Sequence, residues 1–258
     1  MRVSKRLSVA GVLAIAGASF FVGAPAFASP GGSYTCTGGE IPSGNYTSLT
    51  VAGHCSVPGD AVITVARNVV VQRGAVLDAQ SAPAAIEIGG NVTAKSGSTV
   101  GLGCQPASLV GNSAHPCTAE GFEEGHSDIT VHGNITITDA ADVALNGITV
   151  DRNVTVTGGD SSGYWSIKNN TVRQNVTVTD VTVAWMGIMF NQVDGNVALT
   201  RITVVDEHPG APGVYVVKNK IGRNLTCTQL TPGVSGGFDP TGVNIVGNNA
   251  TGQCADLV

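Results

Sequence analysis

The stretches HGNITITDAA (132–141), DRNVTVTGGD (151–160) and RQNVTVTDVT (173–182) carry one phrase three times: Asn, apolar, Thr, apolar, Thr. Apolar and polar residues alternate with period two, the pattern of a half-buried β-strand. Aligned on its asparagine, the phrase recurs at Asn45, Asn68, Asn91, Asn134, Asn153, Asn175, Asn196, Asn224 and Asn248, with gaps of 19 to 28 residues apart from one of 43. Three residues before the asparagine stand Val65, Ile88, Val131, Val150, Val172, Val193, Ile221 and Ile245, all β-branched and apolar. One residue after it the column reads Tyr46, Val69, Val92, Ile135, Val154, Val176, Val197 and Leu225.

A fixed period with conserved phase between repeats means a solenoid, because one coil cannot bury its apolar face alone. Strands that recur in the same direction pair in parallel, and parallel crossovers are right-handed. The expected fold is therefore all-β: a single right-handed parallel β-helix of about eight coils stacked ~4.8 Å apart. The asparagine column is expected to turn the corner in the left-handed conformation and to bond its stacked neighbours through the side-chain amide. Five residues earlier lie Asn170, Asn191 and Asn219, in a column that earlier coils fill with Ile63, Ile86, Ile129 and Ile148. That column points inward, so its asparagines must satisfy one another.

Residues 1–28 read as a secretory signal peptide: Arg2, Lys5 and Arg6, an apolar run from Val9 to Val22, then Ala26-Phe27-Ala28 as a cleavage site. The solenoid then occupies 29–258, with insertions near 101–125 and 206–213. No later segment approaches the roughly 18 apolar residues of a membrane span. Removing the leader takes three of 13 basic residues and none of the 18 acidic ones. An acidic remainder argues against nucleic acid or an anionic membrane as partner. Six cysteines in an exported chain read as disulfides. Of the possible pairings, the nearest-neighbour set is expected: Cys36 with Cys55, Cys104 with Cys117, Cys227 with Cys254. No metal site or cofactor is expected, and the outer two pairs look like end caps, which favours a monomer.

The stacked apolar columns, the asparagine ladders and the leader resemble the pectate-lyase-like right-handed β-helix superfamily of exported bacterial proteins, over residues 35 to 254. The stretch VVVQRGAVLDAQ (69–80) looks like an early coil of such proteins. The resemblance implies action on, or binding to, extracellular polysaccharide; other members are adhesins. The chain carries neither the Asp-Asp and Gly-His-Gly pattern of the polygalacturonase-like hydrolases nor a pectate-lyase calcium site.

Three surfaces are candidates for function. The first lies between the insertions, which begin about ten residues after Asn91 and Asn196 and so are expected on one side. Tyr164, Trp165, Trp185 and Met186 fall at that phase and would floor a groove on which sugars stack. Its walls would carry Glu120, Glu123, Glu124, His126, Asp206, Glu207 and His208, residue types suited to acid–base work on glycosidic bonds. The second is the column His132, Asp151, Arg173, Asp194, two residues before the asparagine: a catalytic row, or a charge-compensated face. Lys168, Lys220 and Arg223 are the basic candidates for a uronate. The third is the double rank of threonines, Thr136/Thr138, Thr155/Thr157 and Thr177/Thr179, which looks like that of ice-binding β-helices but also suits any exposed strand. The leading expectation is a secreted β-helix that binds carbohydrate or another extracellular surface. The alternatives are a polysaccharide lyase or glycoside hydrolase, and a structural or ice-binding surface protein.

Overall fold

The computed structural model describes residues 31–205, 212–238 and 242–258. The expected leader and the wall residues Asp206, Glu207 and His208 lie outside the described residues.

The chain winds as a right-handed parallel β-helix with three long sheets, of ten strands (sheet A), nine (sheet B) and nine (sheet C). Each coil visits them in turn: Val69–Val71 in sheet A, Val76–Ala79 in sheet B, Ala84–Ile88 in sheet C, then Val92–Ala94 back in sheet A. Every ladder pairing between these strands is parallel, as between Ile135–Thr138 and Val154–Thr157. The stack is taller than eight coils because Ser33–Cys36 and Gly39–Glu40 open a coil ahead of the first aligned asparagine.

Alternate residues of each strand point into one continuous bore. Val131, Val150, Val172, Val193 and Ile221 line one side and Val69, Val92, Ile135, Val154, Val176, Val197 and Leu225 another, all buried. This burial is the driving force of the fold. The three disulfides join the nearest-neighbour pairs, Cys36–Cys55, Cys104–Cys117 and Cys227–Cys254.

The register corrects the asparagine alignment at both ends. Leu49 pairs with Val69, so Ser48, not Asn45, stands beside Asn68. Ala250 pairs with Leu225, so Asn249, not Asn248, continues from Asn224. Nor does the asparagine column supply the left-handed residues. Those sit where the chain bends from sheet A toward sheet B, at Asp139 and Gly158 just past their strands and at Asp180, Arg201 and Gln229 within theirs, with φ between 48° and 72°, and at the B–C corner, in Gly147, Asn169, Phe190 and Lys218. The asparagine corner is held by side-chain bonds instead. The amide N–H and Nδ2 of Asn134, Asn153, Asn175, Asn196 and Asn224 each donate to Oδ1 of the asparagine one coil earlier, at 2.8–3.2 Å.

The inner ladder runs the other way. Asn170, Asn191 and Asn219 each donate from N and Nδ2 to Oδ1 one coil later, and the sequence reading missed its last rung, Asn244. Each Nδ2 also donates to a backbone carbonyl: Leu145, Ile167, Ile188 and Val216 in turn. All four asparagines are at most 3% exposed, and this double donation satisfies them without water.

The insertions do not leave one side. The first lies between Thr99–Leu102 of sheet B and Asp128–Val131 of sheet C. The second follows Val197–Val204 of sheet A and precedes Val214–Val217 of sheet B. They flank opposite edges of sheet B. Counting from the asparagine misleads because coils spend different numbers of residues at the A–B corner.

Candidate functional site

The outer face of sheet B is built from the strands Asp142–Asn146, Tyr164–Lys168, Trp185–Met189 and Val214–Val217. Tyr164 pairs with Trp185, and Gly187 with Tyr215. The side chains of Tyr164, Trp185 and Tyr215, followed by Phe238, form a rank of four rings, with centroids 6.5, 5.2 and 6.0 Å apart in turn. Tyr164 and Phe238 are 59% and 67% exposed at its ends, while Tyr215 is 6% exposed. Gly187 makes the rank possible: a Cβ there would stand 2.4 Å from the Trp185 indole, so glycine lets the ring lie against the strand.

Trp165 is not part of this floor. It is fully buried and points into the bore, as does Met186. Neighbouring residues of a strand face opposite ways, so Tyr164 outward places Trp165 inward. Tyr215 and Phe238, which the sequence reading did not single out, take its place.

The first insertion folds down over the B–C edge of the same face. Lys168 Nζ donates to the Ala114 carbonyl at 2.7 Å, Asn112 Nδ2 to Asn169 Oδ1 at 3.0 Å and Asn169 Nδ2 to the Ser113 carbonyl at 3.2 Å. Burial beneath the loop lowers the pKa of Lys168, and burial followed by the Lys168 charge lowers that of His115. Lys168 is therefore a strut of the loop. Glu120, Glu123 and Glu124 are exposed on the insertion, Glu124 accepting from Ser108 Oγ at 2.7 Å.

Sheet C carries the second constellation. His132 Nδ1 lies 2.6 Å from Asp151 Oδ2, and His132 Nε2 lies 3.1 Å from Glu87 Oε1. Arg173 continues the row, 3.5 Å from Asp151 and 3.9 Å from Asp194. The column thus forms as an ionic chain, extended by Glu87, a diagonal neighbour that the alignment did not expose. The hydrogen bond to Asp151, then that to Glu87, raises the His132 pKa. Both ring nitrogens lie within hydrogen-bond distance of a carboxylate. Among the described residues no group of three His, Cys, Asp or Glu is placed to hold an ion. A shallow groove of about 260 Å³ opens beside His132 and Glu87, floored by Val62, Thr64 and Ala85, and a second of about 220 Å³ adjoins it at Asp128, with Asp60 and His126. Lys220 pairs with Gln192 in the same sheet, and Arg223 borders a third hollow with Arg173 and Asp194.

Sheet A is the most regular face. One outward rank reads Thr35, Thr50, Val70, Thr93, Thr136, Thr155, Thr177, Ala198, Thr226, Thr251. A second holds Thr138, Thr157, Thr179, Thr200 and Thr228.

Fold and faces define the class as a disulfide-bonded parallel β-helix. No family model matches the chain, and no curated protein or solved structure matches it either. Among the described residues no helix is long and apolar enough to cross a membrane.

Proposed function

We propose that this chain is a secreted polysaccharide-binding solenoid that docks a glycan along the aromatic rank of sheet B. The observation that carries the reading is the file of Tyr164, Trp185, Tyr215 and Phe238, with its outer rings open to solvent. Pyranose rings present apolar C–H faces, and aromatic rings with an exposed face receive them while the sugar hydroxyls stay in water. The rings follow the ~4.8 Å rise between coils, so the open faces of Tyr164, Trp185 and Phe238 lie along one line that a linear polymer can follow, with Tyr215 buried between them. Export is supported by the leader-like residues 1–28 and by three disulfides. Membership of the pectate-lyase-like superfamily is proposed from the architecture, which by itself fixes no activity.

The test is affinity electrophoresis against plant, microbial and animal polysaccharides. Trp185→Ala, with the fold checked by circular dichroism, is expected to weaken binding about tenfold or more; an unchanged mobility shift would exclude this face.

A second reading, glycosidic-bond cleavage at sheet C, is favoured by His132 held between Glu87 and Asp151 at the lip of a groove. Release of reducing ends, or absorbance from unsaturated uronates, abolished by His132→Gln would support it. A third, contact with ice at sheet A, draws on the threonine ranks and is tested by the habit of growing ice crystals.

A further inference from the structure

The aromatic rank does not end at Tyr164. Thr99 pairs with Asp142, and the pairing of Ala144 with Ser166 sets Asp142 beside Tyr164 one coil earlier on the same outer face. Asp142 Oδ1 is enclosed and has no hydrogen-bond partner among the described residues. The chain at Gly163 passes just over this carboxyl: a Cβ on Gly163 would lie 3.6 Å from Oδ1. The residue before Asp142, Ala141, lines a groove of about 550 Å³ at the A–B corner, together with Ser96, Asp139, Asp160 and Asp180. This groove and the rank meet at the segment 158–163, which joins Asp160 to Tyr164.

The junction is predominantly acidic, with Arg73 (Nη1 3.5 Å from Ser96 Oγ) and Lys95 (Nζ donating to Gln72 Oε1 at 3.0 Å) at its earlier-coil rim. Arg201 is bound to Asp180, with Nη2 2.8 Å from Oδ2, and so is spent. Asp139, Asp142 and Asp160 take part in none of the ion pairs of the described residues. Lys168, on the strand of Tyr164, is fastened under the first insertion by the Ala114 carbonyl. A uronate held at the rings would bring its carboxylate against Asp142, whereas Arg73 and Lys95 stand at the earlier-coil rim of the groove, beside Ser96.

We infer that the occupant of this face is a polysaccharide bearing free amino groups, with one cationic hexosamine unit held at Asp142 while its neighbours stack on Tyr164 and Trp185. This rests on the proposed glycan docking at sheet B and adds its ligand class. An ammonium group gains from the carboxylate by a charge-assisted hydrogen bond and from the adjoining ring faces by cation–π attraction. Asp142 is the specificity-determining group, because it alone among these carboxylates shares the column of the rings. Burial raises its pKa, and a hydrogen bond from the Val143 backbone N–H acts the other way, so Oδ1 alone is left without a partner.

The experiment compares three ligands by isothermal calorimetry: a glucosamine hexamer, the N-acetylglucosamine hexamer of equal length, and oligogalacturonate. The wild type is expected to bind the glucosamine hexamer at least about tenfold tighter than the acetylated one, with affinity falling as salt rises, and not to bind oligogalacturonate. Asp142→Asn is expected to erase that preference and leave the weaker, ring-dependent binding. Should this variant fail to fold, Asp160→Asn serves at the other end of the junction, and a partial loss of preference is expected. Equal or tighter binding of the acetylated hexamer, or binding of oligogalacturonate, overturns the ligand class. If such binding still disappears in Trp185→Ala, glycan docking at the rank survives. No binding of any polysaccharide removes both.

Discussion

Two asparagine ladders climb this solenoid, and their surroundings make them different devices. The outer one, from Asn68 to Asn249, stands at the corner between sheets C and A, exposed or half-buried. The inner one, from Asn170 to Asn244, stands at the corner between sheets B and C with almost no exposure. Both use the same amide-to-amide bond between coils. Water competes for every bond of the outer ladder and for none of the inner. An unmade bond therefore costs little outside and the full desolvation penalty inside. The outer ladder marks register, and the inner ladder enforces it.

The sharpest way to break this contrast is Asn191→Ala. It removes the acceptor for Asn170 N and Nδ2 and the donor to Ile167 O and Asn219 Oδ1. The expected loss is about 3–5 kcal/mol, seen as a fall in melting temperature on the order of 10 °C. Asn175→Ala removes the corresponding bonds from Asn196 and to Asn153, but water replaces them. About 1 kcal/mol and roughly 3 °C are expected. Equal losses in the two variants would refute the distinction.

The ionic chain beside the outer ladder gives a smaller effect with a definite sign. The His132 pKa is raised in the folded state, so its contribution is full below the unfolded value of about 6.5 and is lost as pH rises through the folded value. The melting temperature of the wild type should exceed that of His132→Gln in mildly acidic buffer, and the gap should close above that pH. High salt should shrink it, because the pair is exposed. Smallest of all, Asn45→Ala should change stability by no more than about 0.5 kcal/mol, because Ser48 holds that rung.

The bore and the outer ladder were legible because every coil repeats them. The left-handed corners were not: Asp139, Gly158, Asp180, Arg201 and Gln229 adopt one backbone conformation with four kinds of side chain. The inner ladder was visible at three rungs and lost at Asn244 because the outer column was aligned on Asn248; from its true rung, Asn249, Asn244 keeps the same offset as the other three. The aromatic site shows how fine the limit is. Tyr164 stands eleven residues after its asparagine and Trp185 ten after its own, yet they are partners. That one extra residue in the corner 158–163 exchanges inside for outside, which is why Trp165 was mistaken for floor. The ion row survived because its four members share one offset, and Glu87 escaped because it lies on the diagonal.

The opposed directions of the two ladders have an electrostatic consequence. A column of aligned amides adds its dipoles, as the peptides of a helix do. Here one column points its carbonyls toward the later coils and the other toward the earlier ones. Over the coils they share, from Asn170 to Asn244, the two fields oppose each other, while in the coils before Asn170 the outer ladder stands alone.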